Sequence, residues 1–131
     1  MMFRRVLFYL WALPTTVVGL LFVPLAMVTG GRARVVNGVL EVSGGSVSWF
    51  LRYCTLLRGG AAAMTLGHVV LGRDLWLLDI TRSHERVHVR QAERWGPLFI
   101  PLYLLSSLAM MVVGRRAYED NPFEREAYRM E

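Results

Sequence analysis

The chain contains no lysine, one cysteine and few acids: all 15 basic residues are arginine, against 10 Asp and Glu. A lone cysteine, Cys54, excludes an internal disulfide and is expected to be a small buried hydrophobe. The net charge of +5 comes from arginines spread along the chain and interleaved with acids. No basic stripe forms, so a nucleic-acid partner is not expected. Repeats and low-complexity tracts are also lacking, which excludes a solenoid. Charge itself is missing from two stretches, Val6 to Val28 and Pro97 to Val113.

These two stretches account for the excess of apolar residues, 54 % of 131. The first has 23 residues behind the basic head Met1 to Arg5. As a helix it measures about 35 Å, enough to cross a bilayer core. It is longer than a signal-peptide core, and Leu25-Ala26-Met27-Val28 is a poor cleavage site. The sequence therefore predicts an uncleaved membrane anchor over 1–30, with the lipid bilayer as partner and a membrane location. Its sidedness stays open, since Arg4 and Arg5 on one side face Arg32 and Arg34 on the other. The rest, 31–131, is large enough for one modest α+β domain.

Within that domain Asn37-Gly38 sits between β-branched runs, the strongest short hairpin signal. Ser46 to Leu57 reads as a short helix with Trp49, Tyr53 and Leu56 on one side. Ala63 to Leu71 reads as an extended strand, bent at Gly67 and carrying His68 as a core or edge residue. From Thr81 the period becomes helical, with Thr81 or Ser83 as N-cap and Gly96-Pro97 as the stop. Stepping about 100° per residue puts His88 about 40° from His84 and Glu85 about 100° from it. Gln91 joins this inner face as a local packing or hydrogen-bonding residue. Arg82, Arg86, Arg90 and Glu93 fall opposite.

Histidines one helical turn apart can reach one metal ion, and a carboxylate beside them can take a proton from an activated water. His84-Glu85-Arg86-Val87-His88 is thus an H-E-x-x-H motif on an amphipathic helix. The downstream run Asn121-Pro122-Phe123-Glu124-Arg125-Glu126-Ala127-Tyr128 supplies a candidate third ligand. It fits a capping box equally well, with Asn121 as N-cap, Pro122 at N1 and Glu124 at N3. Glu124 can satisfy the cap or reach a metal, not both.

Strand, H-E-x-x-H helix and later glutamate helix, over Ala63 to Tyr128, resemble the gluzincin branch of the zincin metallopeptidases. The resemblance implies a zincin-like domain with a short antiparallel sheet, Zn2+ as cofactor and a peptide or protein substrate. It implies His84 and His88 as ligands, Glu85 as general base and Glu124 as third ligand, with Glu126 as the substitute. Tyr128 stands where such helices often carry an Asp that supports a ligand histidine. Tyr103, Tyr118 and Tyr128 are candidate donors to a developing oxyanion, with nothing to choose between them. A non-catalytic membrane protein with a structural metal, or none, is the alternative.

The second apolar stretch decides the topology. Were Pro97 to Val113 to cross the bilayer, Glu124 would end on the far side from His84 and His88. The stretch has 17 residues and is broken by Pro97 and Pro101. It is expected to stay on one side, as a core helix or a re-entrant piece.

Overall fold

Proline divides the N-terminal apolar run. A computed structural model describes residues 2–55, 57 and 59–131, leaving Met1, Leu56 and Arg58 outside the described residues. Where one straight anchor helix is expected, it has α1 (Met2–Trp11), α2 (Leu13–Leu20) and α3 (Val23–Val28). Pro14 and Pro24 each stand in the first turn of a new piece, where the missing N–H costs nothing and the ring clashes with no preceding turn. The run bends by 65°. The bend lets small residues dock: Ala12 and Ala26 are fully buried and Thr15 nearly so. Thr15 Oγ1 donates to Gly96 O at 3.2 Å, and Thr16 Oγ1 accepts from His68 N at 3.0 Å. The run is therefore a layer of the fold as well as an apolar surface.

Four strands follow, β1 (Arg32–Val36), β2 (Val39–Ser43), β3 (Ala63–Leu66) and β4 (Val69–Gly72), in the order β1-β2-β4-β3. Asn37 and Gly38 turn the first hairpin with φ of 51° and 80°, as its turn type requires. Ala63 to Leu71 is a second hairpin rather than one bent strand, with Gly67 and His68 as its turn. The sheet is mixed, not antiparallel, because β2 pairs parallel with β4. The helix α4 (Gly45–Tyr53) lies in the long crossover that such a pair demands. Val47 and Leu51 are the buried residues of α4, while Trp49 and Tyr53 are exposed. Leu56, expected on their side, lies outside the described residues. Cys54 is exposed, contrary to expectation, because α4 ends at Tyr53.

Strand alternation sends side chains to two faces. Val42, Val69, Leu71 and Leu66 pack toward Ala26, Val47 and Leu51 on one side. Val39 and Val70 pack toward Leu78 and Val89 on the other. Each fully buried leucine contributes about 2 kcal/mol. The helix on that second face is α5 (Leu75–Trp95), longer than expected because its N-cap is Asp74, whose carboxylate accepts from Leu77 N at 2.8 Å. Gly96, at φ 57°, ends it against the Trp11 ring, where a Cβ would come within 2.3 Å.

A 3-10 turn (Gly96–Leu98) leads into α6 (Phe99–Val112). Counted through that turn, Leu75–Val112 is a 38-residue helix long and apolar enough to cross a membrane, and only 17 % of its most apolar window is buried. The chain then doubles back. Asn121 Nδ2 donates to Tyr103 O at 3.0 Å and to Ser107 Oγ at 2.8 Å, so α7 (Pro122–Met130) returns along α6 to lie against α5. Glu124 is thereby brought to the histidines.

Candidate metal centre

His84 and His88 project from α5, one turn apart, with ring centroids 5.0 Å apart. Both are buried, as are Glu85 and Glu124. Glu124 Oε1 lies 3.0 Å from His84 Nε2 and 3.0 Å from His88 Nε2. Its other oxygen, Oε2, accepts from the Tyr103 hydroxyl of α6. Burial pushes this carboxyl up, but the two imidazoles and the tyrosine outweigh that and hold it at about 2.

The capping box does not form. Asn121 caps α7 by accepting from Phe123 N at 2.9 Å, and its own N–H goes to Tyr118 O at 3.1 Å. The cap therefore leaves the Glu124 carboxylate for the histidines. Glu126 turns away, accepting from Gln91 Nε2 at 2.8 Å.

Both imidazoles are oriented from behind. His84 Nδ1 donates to Glu131 Oε2 at 2.8 Å. His88 Nδ1 donates to Gln91 Oε1 at 2.7 Å, and Gln91 is held the right way round because its Nε2 donates to Phe123 O and Glu126. With the proton on Nδ1, a neutral ring presents its Nε2 lone pair. Two lone pairs then meet one carboxylate oxygen. That contact is repulsive unless both rings are charged or a cation sits between them. Two imidazolium charges about 5 Å apart repel by about 3 kcal/mol at an effective dielectric constant of about 20, and the Glu124 carboxylate between them offsets that repulsion. A divalent ion satisfies all three atoms at once, so the donor set fits a metal.

Glu85 flanks the pair, its Oε2 3.9 Å from His84 Nε2. Thr65 of β3 donates to Glu85 Oε1 at 3.0 Å. Ligand atoms of His84, Glu85 and His88 all lie within 4.8 Å of one another, a group that could hold a metal ion. Glu124 sits nearer to both imidazoles than Glu85 does.

Gln91 was legible as an inner-face residue, but its hold on His88 was not. Glu131 was missed; it gives His84 the contact expected of an Asp at position 128. Tyr128 instead packs its ring 4.3 Å from that of His84, centroid to centroid. Of the three candidate tyrosines, Tyr103 touches Glu124, and Tyr118 lines the adjoining cavity. His68 lies elsewhere, paired with Glu93 at 2.8 Å.

The cavity beside the centre measures about 220 Å3 and has a mainly apolar lining that includes Met64, Leu66, Phe99, Ile100 and Leu104, with Glu85 and His88 at one wall. β3 lines it and is an edge strand. In comparisons with protein-family models, curated proteins and solved structures, no match to this chain was found.

Proposed function

We propose that the chain is a membrane-anchored, zinc-dependent hydrolase that acts as a peptidase. The observation that carries this reading is the pair of imidazoles whose Nδ1–H groups are held by Glu131 and Gln91 while both Nε2 atoms meet one Glu124 oxygen. Separations of 3.0 Å approach the about 3.3 Å between ligand atoms around a tetrahedral ion with bonds of about 2.0–2.1 Å. His84, His88 and Glu124 are thus the proposed ligands. Zinc bound there supplies Lewis acidity and makes water acidic enough to attack near neutral pH.

Glu85, buried beside the ligands, takes the proton of the attacking water and returns it to the leaving amine. Thr65 holds its carboxylate through one oxygen. Tyr103 fixes the second oxygen of Glu124, so that Oε1 faces the imidazoles. An extended peptide can pair with the free edge of β3, and the cavity receives an apolar side chain beside the bond to be cut. Exposed leucines, valines and methionines along α1–α3 and α6, among them Leu10, Leu21, Leu25, Leu105, Leu108 and Val112, support a lipid-facing surface.

The test is Glu85→Gln in the metal-loaded chain. Retained zinc with loss of peptide hydrolysis is expected. A second reading, a closed structural site, draws on the closeness of Glu85 to both imidazoles. Loss of zinc in Glu85→Gln would favour it.

A further inference from the structure

A second cavity, of about 260 Å3, lies against the opposite face of α5, where α1 and both hairpin turns meet it. Arg5, Tyr9, Asn37, His68, Arg86 and Arg90 line it, together with Glu93. Among the described residues, the buried side-chain polar atoms without a hydrogen-bond partner are His68 Nδ1 and Arg86 Nε. Both residues line this cavity. An unpaired buried polar atom costs about 1–3 kcal/mol, so two at one place point to something they are built to meet.

The chemistry of the lining narrows what that is. Arg86 Nη2 is engaged by Glu41 at 2.8 Å, which leaves its Nε–H as a donor. Arg5 and Arg90 are exposed and form no ion pair among the described residues. The one carboxylate, Glu93, is engaged by His68 Nε2 at 2.8 Å. That bond takes the ring proton of a neutral His68 and leaves Nδ1 an acceptor. Tyr9 packs its ring against that of His68, tilted by 37° with centroids 4.2 Å apart, and its own hydroxyl donates to Gly38 O at 2.6 Å. The cavity therefore offers guanidinium donors beside a single buried acceptor.

We infer that this cavity binds a phosphate group that carries or adjoins a hydroxyl. The guanidinium groups take the phosphoryl oxygens, and the hydroxyl donates to His68 Nδ1. Hydrogen phosphate, glycerol phosphate and the phosphatidylglycerol headgroup share this chemistry. The site does not depend on the hydrolase reading.

The test uses the full chain in a neutral maltoside detergent. Its thermal midpoint is followed against inorganic phosphate, against chloride at matched ionic strength, and in micelles doped with phosphatidylglycerol or phosphatidylcholine. Variants are Arg90→Gln and Arg5→Gln, with Arg32→Gln as a charge-matched control outside the cavity. Circular dichroism checks that each folds; both cavity arginines are exposed, and either variant suffices. Stabilisation by phosphate or by phosphatidylglycerol is expected in the unaltered chain and in Arg32→Gln. It should need at least about tenfold more ligand in Arg90→Gln and Arg5→Gln. A response to phosphatidylglycerol alone identifies the headgroup as the source, and one to both identifies the free anion as sufficient. No stabilisation by either, or equal stabilisation in all variants, would overturn the inference.

Discussion

Two buried carboxylates flank α5, and they are satisfied in opposite ways. Glu41, on β2, is 1 % exposed and meets Arg82 through two bonds of 2.9 Å and Arg86 through one of 2.8 Å. Burial would push its carboxyl up, but these arginines bring it below the usual range. Glu124, on α7, meets two imidazoles and a phenol. Guanidinium groups stay charged at every working pH, so the Glu41 carboxylate is held by fixed charges and clamps the first hairpin to α5. Imidazoles can give up their protons, so the Glu124 cluster can exchange two protons for a metal. One helix thus carries a structural ion cluster on one side and a candidate reactive one on the other.

The largest effect that would sharpen this contrast is on the Glu124 side. Glu85→Gln should lower peptide hydrolysis by about a thousandfold with zinc retained, within the usual range for a general base. Rate and metal content of the same preparation check it. On the Glu41 side the effect should fall on stability alone. Glu41→Gln leaves arginines partly buried without their partner and should cost about 3 kcal/mol, read by urea unfolding, with zinc affinity unchanged. The carboxyl titrates lower folded than unfolded, so its share of stability is complete well above pH 4.5 and fades as pH falls through and below that value. The variant should lose this part of the acid dependence. Equal loss of zinc affinity in Glu41→Gln would dissolve the distinction between the two sides.

A smaller effect is expected behind the ligands. Gln91→Leu keeps the volume but removes the acceptor of His88 Nδ1, and should weaken zinc by about 10- to 100-fold in a competition titration with a chelator. Tyr103→Phe removes one hydrogen bond to Glu124. It should weaken zinc by about tenfold or less, and a larger loss would make Tyr103 more than a positioning group.

The legible parts were local. Asn37-Gly38 specified its turn, and the spacing of His84, Glu85 and His88 put them on the inner face of one helix. What escaped was non-local. Glu41 reads as an ordinary alternating residue, because its arginines lie 41 and 45 residues away. Glu131 reaches His84 across 47 residues, and no local pattern announces it. The parallel β2–β4 pair is hidden for the same reason, since its partners are separated by α4 and β3. The uncharged length of the first apolar run reads as one helix, whereas Pro14 and Pro24 restart it twice so that Ala12 and Ala26 can dock.

Zinc content of the full chain, purified in detergent and freed of loosely held metal, tests the central claim most directly. About one zinc per chain is expected, lost when His84 and His88 are both changed to Ala and kept in Glu41→Gln. Full zinc in the double histidine variant, or none in the unaltered chain after incubation with zinc, would contradict it.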